Sequence, residues 1–252
     1  MDRRSFLSLA VACSSSFALG SAEEFIPSST SIKPVSPVIK TLLDKLNTVQ
    51  DHVGYVKFNT ISFDEMLKVA LHCKKGLTPS EVGYIETIFY SDPRRYGFYG
   101  ERTVPRLTAV IPEKDIVYIK KSGHFLLRGA ATEKYATIKS LIGKDLILTS
   151  GVRAPVKQLH LFLKKMVSEG GNLRMASTSI APPGFTFHSV GDFDIGKVGL
   201  GHGNFSEKFQ ETDVFKKLHD GGYITIRYTS GNPYGVRYEP WHIKVTSGNG
   251  TA

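Results

Sequence analysis

The sequence predicts a mixed α+β chain in which capped helices come first and short strands set among helices follow. Capping signals stand before two helical runs in the first third of the chain. From residue 107 onward, β-like runs alternate with stretches of helical spacing. The chain then closes on a helix, a Gly-Gly stop and a hairpin pattern.

The first helix is expected over Val38–Val49, opened by Ser36-Pro37 with proline at the first helical position. Ser62-Phe63-Asp64-Glu65 reads as a capping box, and Thr78-Pro79-Ser80-Glu81 repeats that device before Val82–Phe89. These helices carry no recognisable chemistry and read as an extension, residues 36–106, that buttresses a main domain at 107–245. Between Ser91 and Gly100 lies a turn-rich aromatic stretch with Arg94, Arg95, Tyr96, Phe98 and Tyr99, read as packing. Strands are expected at Thr108–Ile111, Val117–Lys120 and Leu146–Leu148, and helices at Glu133–Ile142 and Val156–Val167. The closing pattern places a helix at Asp213–His219, a stop at Gly221-Gly222, and a hairpin of Tyr223–Tyr228 with Val236–Val245 around Ser230–Pro233. The tail, 246–252, is small and polar.

The chain begins with Arg3-Arg4 and a short apolar run to Leu19, then Gly20-Ser21-Ala22, which reads as a secretory signal over residues 1–22. Arg-Arg-x-Phe-Leu resembles the twin-arginine pattern, so an exported, periplasmic or extracellular protein is expected, followed by a flexible leader at 23–35. The apolar run is short of the ~20 residues that span a bilayer. With 41% hydrophobic and 22% charged residues, the chain can form a packed core. Net charge is +9, but the basic residues are scattered in pairs such as Lys74-Lys75 and Lys164-Lys165, which argues against a nucleic-acid partner. A basic surface suits work beside an anionic cell wall. Cys13 and Cys73 are the only cysteines, and loss of the signal would leave one thiol and no internal disulfide.

Three separated segments carry chemistry. Tyr238-Glu239-Pro240-Trp241-His242 offers an imidazole three residues after a carboxylate; the first can hold a metal and the second can take a proton from water. Residues 183–196 set His188 and Asp194 either side of a glycine turn. His188, Asp194 and His242 would make a three-ligand zinc set with one position open. The helix-borne His-Glu-x-x-His motif is absent. Thr149-Ser150-Gly151-Val152-Arg153 leaves a strand and is followed by Gln158 and Phe162, so a guanidinium fork and an amide can meet a carboxylate or an oxyanion.

Taken in order, Ser-Gly-x-Arg…Gln…Phe, Pro-Gly-x-Thr-x-His-x-x-Gly…Asp-Ile-Gly and Glu-Pro-Trp-His resemble the zinc D,D-carboxypeptidases and D-Ala-D-Ala dipeptidases, the group of the vancomycin-resistance carboxypeptidases. Phe209, Thr212, Phe215, Leu218, Gly222, Tyr223, Arg227 and Tyr228 extend the likeness, which runs from about Leu146 to Val245. The resemblance implies a small α+β domain of LAS type, with a central antiparallel sheet and one zinc ion in its cleft. It implies His188, the following acid and His242 as ligands, Glu239 as base, Arg153 as the group polarising the scissile carbonyl, and Gln158 and Thr186 near the substrate. The implied substrate is a peptidoglycan stem peptide, cut next to a D-amino acid; an endopeptidase, an L,D-carboxypeptidase or a non-catalytic wall-binding module are the alternatives. The family spaces its His and Asp seven apart, whereas Asp194 lies six after His188 and Ile195 takes the seventh place. Asp192 and Asp194 point the same way along a strand, so periodicity leaves both open; the Asp-Ile-Gly ending favours Asp194.

Other residues have plainer readings. Trp241 is expected to pack beneath the metal, His160 and Cys73 to pack, and His202 to sit in a glycine-rich connection over the cleft. His52, His72, His124 and His219 have no supporting context.

Overall fold

The structure, a computed structural model, describes residues 36–246. The signal at 1–22, the leader at 23–35 and all of the tail after Thr246 lie outside the described residues. The fold is α+β, with two small antiparallel sheets, flanking helices and a helical run at the N-terminal side.

That run comprises α1 (Pro37–Val53), α2 (Tyr55–Phe58), α3 (Phe63–His72) and α4 (Pro79–Tyr90). Proline opens α1, and its apolar residues at 39, 42, 46 and 49 form one buried stripe at helical spacing. At α4 the capping box is complete, with Thr78 N on Glu81 Oε2 at 2.7 Å and Glu81 N on the Thr78 hydroxyl at 3.3 Å. At α3 only half of it forms. Ser62 accepts from Glu65 N, but the Glu65 carboxylate pairs with Lys57 at 3.3 Å instead of returning to the cap. Cys73, expected in the core, is the C-cap of α3 and only half buried, because the helix ends there and turns its last residues outward.

β1 (Ile116–Ile119) and β2 (His124–Leu127) form a hairpin, followed by α5 (Ala130–Ile142). The second sheet has the order β3-β4-β5, from β3 (Leu146–Ser150), β4 (Phe193–Lys197) and β5 (His242–Ile243). Between β3 and β4 come α6 (Pro155–Ser168) and α7 (Leu173–Ser177), and α8 (Asp213–Asp220) precedes β5. No helix among the described residues is long and apolar enough to cross a membrane.

Two strand expectations need correction. Thr108–Ile111 is not a strand; Pro105 and Pro112 bracket it, and no described strand pairs with it. The closing hairpin is far less regular than its pattern suggests. Only His242–Ile243 is a strand, and Ile226 meets Ile243 in an isolated bridge. Its arms still bond at Lys244 N to Thr225 O (2.8 Å), Arg227 N to His242 O (3.2 Å) and Glu239 N to Tyr228 O (3.0 Å). Pro240 has no N–H to give a ladder, and the chain turns there. Sequence spacing also missed β2.

α6 is the shared element. Val156, Leu159, Phe162, Leu163 and Met166 pack into one core with Leu42, Leu46, Phe58, Met66 and Phe89 of the N-terminal helices. A second core joins the three-stranded sheet to α5 and α8 through Leu148, Phe193, Ile195, Ile138 and Phe215. Phe58 is fully buried on the first core. Phe58→Ala is expected to cost about 3–5 kcal/mol, read as a lower urea midpoint at unchanged slope; a loss under 1 kcal/mol would mean that α2 is not seated on α6 as described.

Candidate active site

Strand register brings the first two residues together. In the sheet Asp194 of β4 stands directly across from Ser150 on one side and His242 on the other. Side chains directly opposite one another share a face, with Cβ atoms roughly 4.5–5.5 Å apart. His188 arrives from a 3-10 turn, Phe187–Ser189, capped by the Thr186 hydroxyl. One nitrogen of each imidazole is already engaged. His188 Nδ1 lies 2.9 Å from Gly151 O, which leaves Nε2 toward Asp194 Oδ2 at 3.3 Å. His242 Nε2 lies 3.0 Å from Asp192 Oδ2, which leaves Nδ1 toward Asp194 Oδ1 at 3.1 Å. One ligand atom from each of His188, Asp194 and His242 lies within 4.8 Å of the others, and all three residues are buried.

The sequence left Asp192 and Asp194 open, and the structure separates their surroundings. Asp192 stands behind His242: it accepts from Val245 N at 2.8 Å, from Arg227 Nη2 at 3.0 Å and from Arg227 Nε. Arg227 in turn lies over the Phe187 ring at 3.7 Å. Burial works against the charged form of Asp192, but hydrogen bonds from His242 and Arg227 outweigh it and hold the carboxyl below its usual range. Asp194 faces the cluster. Its Oδ1, although buried, accepts no hydrogen bond among the described residues and stands 3.1 Å from His242 Nδ1. A buried carboxylate oxygen without a donor is costly unless something else satisfies it.

Glu239 and His242 meet through a turn, with His242 N donating to Glu239 O at 3.1 Å and Pro240 at the position where a fixed φ suits that turn. Glu239 Oε2 then lies 3.8 Å from His242 Nδ1. Burial pushes the Glu239 carboxyl up to about 7, against the pull of His242. Burial disfavours charge on His242 as well, yet Asp192 and Asp194 prevail and raise it to about 9. His188 moves the other way, down to about 4, by burial and then by the nearby Arg153. Asp194 lies well below the usual carboxylate range: burial opposes this, and the two histidines overcome it.

Arg153 sits between the sheet and α6. Its Nη2 donates to Asp194 Oδ2 at 2.9 Å and its Nε to Ser150 Oγ at 2.9 Å, while Nη1 has a long contact of 3.4 Å to Gln158 Oε1. Gln158 Nε2 is anchored on Ala181 O at 2.6 Å, while the short bonds to Asp194 and Ser150 hold the guanidinium. Thr186, Arg153, Gln158 and Glu239 all line one cleft of about 290 Å³ with the cluster. Trp241 is buried in the sheet core and also lines the cleft. His160 turns away from it, with Nε2 2.7 Å from Asn47 Oδ1 and its ring edge-on to Phe58.

Sequence reasoning missed several wall residues. Tyr55 of α2 and Lys157 of α6 line the cleft, as do Phe205, Tyr228 and Arg237. Tyr55 came from a helix with no chemical signal, and its hydroxyl reaches His124 Nε2 at 3.3 Å. Lys157 had a signal that went unread, since it stands one residue before Gln158 and four after Arg153.

Residues 128–247 match the family model described as VanY: D-alanyl-D-alanine carboxypeptidase. That stretch, which holds the whole cluster, is similar to the VanY family and to the vancomycin-resistance carboxypeptidases. No curated protein matches the chain in sequence. Among solved structures, the LdcB LD-carboxypeptidase is similar at 26% identity and a TM-score of 0.42, over 54% of this chain and 66% of that one. A vancomycin-resistance D,D-pentapeptidase VanY variant in complex with Zn(II) is similar at 20% identity and a TM-score of 0.43, over 54% of this chain and 83% of that one. The D,D-dipeptidase VanXYg, in complex with a D-Ala-D-Ala phosphinate analogue, is similar at 18% identity and a TM-score of 0.47, over 61% of this chain and 63% of that one. The VanY stretch begins before β3 and takes in every residue of the cluster, whereas Tyr55 lies outside it.

Proposed function

We propose that the chain is a zinc-dependent peptidase of D,D-carboxypeptidase type, acting on peptidoglycan stem peptides outside the cytoplasmic membrane. The observation that carries it is the meeting of His188 Nε2, Asp194 and His242 Nδ1 beside Glu239, with a buried Asp194 oxygen that no donor satisfies. Two imidazole nitrogens and one carboxylate oxygen are the donor set of a hydrolytic zinc site, and a cation would satisfy the orphaned oxygen. When bound, zinc supplies Lewis acidity at the carbonyl and makes water a stronger acid.

The chain's own residues do the rest. His188 is oriented by Gly151 O and His242 by Asp192, so the nitrogens they turn to the cluster are set by hydrogen bonds behind them. Glu239, beside His242 and lining the cleft, takes the proton of the attacking water and returns it to the leaving amine. Arg153 Nη1, loosely held by Gln158, is the donor left for a substrate oxygen, where it stabilises developing negative charge. Thr186 lines the same cleft, its hydroxyl accepting from His188 N at 3.3 Å. The family description, which names a D-alanyl-D-alanine carboxypeptidase, supports terminal D,D cleavage.

Metal analysis together with mass spectrometry of stem peptides tests this. One zinc per chain and loss of a single terminal alanine from a D-Ala-D-Ala-ended pentapeptide are expected. Loss only from the corresponding tetrapeptide would replace the D,D reading by an L,D one. An intact peptide set in the presence of bound zinc would overturn the peptidase assignment.

A further inference from the structure

The cleft wall contains a buried cation that the chemistry above does not use. Lys157 lines the same cleft as the cluster but is only 4% exposed. An ammonium has three donors, and Gln50 Oε1 at 3.3 Å is its hydrogen-bond acceptor among the described residues. No carboxylate among the described residues forms an ion pair with it. Its remaining neighbours are the faces of Tyr55, 4.4 Å from ring centre to Nζ, and Phe58 at 5.4 Å. Its charged neighbours are like charges, Arg153 and Lys164. Burial first and those cations second bring the ammonium down to about 8. An unpaired buried ammonium is costly to keep.

Arg153, Lys157, Leu161 and Lys165 recur every four residues and all line the cleft; Arg153 pairs with Asp194 at 2.9 Å and Lys165 with Glu169 at 2.5 Å, which leaves Lys157 as the cation of this row without a carboxylate among the described residues. The pocket around Lys157 is contributed largely by the N-terminal helices, through Gln50 of α1 and Tyr55 and Phe58 of α2. Those helices lie outside the stretch that matches the VanY family.

We propose that Lys157, framed by Gln50, Tyr55 and Phe58, is the anchor for a carboxylate of the peptide substrate, so that the N-terminal helices take part in substrate selection. This rests on the peptidase reading of the cleft. The carboxylate could be the C-terminal group or an internal acidic group of the stem, and both would present the same chemistry to the ammonium.

The test uses the full zinc-loaded chain with and without Lys157→Met, and with Lys157→Arg as the conservative variant. Three peptides are compared: one with both carboxylates free, one amidated at its C-terminus, and one amidated at its internal acid. Binding is measured by calorimetry in the Glu239→Ala background and kcat/KM in the wild-type background. Lys157→Met is expected to weaken the doubly charged peptide roughly 10–100-fold, with zinc content unchanged and the melting temperature unchanged or higher. Lys157→Arg should recover part of the loss. The amidation that abolishes the difference between Lys157 and Met identifies which carboxylate is held. Equal binding of all three peptides by both proteins overturns the proposal, as does a uniform loss accompanied by a lower melting temperature. A chain that binds these peptides with Lys157-dependent discrimination yet hydrolyses none would sink the peptidase reading and leave the anchor standing.

Discussion

Glu239→Ala is expected to keep its zinc while hydrolysis falls by about 10²–10⁴-fold, the usual contribution of a positioned acid–base group. The carboxylate is buried at the cluster but is not one of the three groups whose ligand atoms converge. Among the described residues its side chain makes two ionic approaches, to His242 and Arg237, both at 3.8 Å. Removing it therefore leaves the frame intact: the strand register and the bonds of Gly151 and Asp192 to the imidazoles do not involve its side chain. Zinc per chain by elemental analysis and kcat on the D-Ala-D-Ala peptide are the two readouts. Undiminished turnover would remove Glu239 from the reaction; lost zinc would make it part of the metal frame.

Asp194→Asn and Asp192→Asn should part company in metal affinity. Asp192 acts from behind His242, and partners of that kind are typically worth 10–100-fold in affinity. Asp194 faces the cluster itself, so its amide should bind zinc more weakly than the Asp192 variant does. The stabilisation that zinc adds to the wild-type melting temperature should then vanish in Asp194→Asn at a zinc concentration that still stabilises Asp192→Asn. Competition with a chromogenic chelator measures both. If Asp192→Asn proves the weaker binder, the two acids have exchanged roles and the short spacing from His188 was misread.

The cluster was legible because its residues carry chemistry that rarely assembles by chance: two imidazoles, two kinds of acid and a guanidinium in three short motifs. The helices were legible through caps and stripes, as at Thr78 and along α1. What the sequence hid was geometry. Periodicity does not separate Asp192 from Asp194, and only the Asp-Ile-Gly ending favoured the second; what separates their surroundings is Arg227, from a segment 35 residues away, which takes hold of the first. The closing hairpin carries strand-forming residues, yet with Pro240 and a turn at Glu239–His242 its arms share one isolated bridge, and the two-residue β5 pairs with β4 instead. Tyr55 looked inert because its role comes from α2 packing against α6, a contact between segments about a hundred residues apart.

Gly151 shows how little room the frame allows. Its carbonyl accepts from His188, the next N–H reaches Phe125 O at 2.8 Å, and a Cβ placed on it would lie 2.0 Å from that same oxygen. Glycine is needed here for clearance, not for suppleness. Even a methyl group would wedge the β1–β2 hairpin off the loop, and the carbonyl that aims the imidazole would swing with it. The hairpin thus works as a gauge block, setting through Gly151 the aim of an imidazole on another segment.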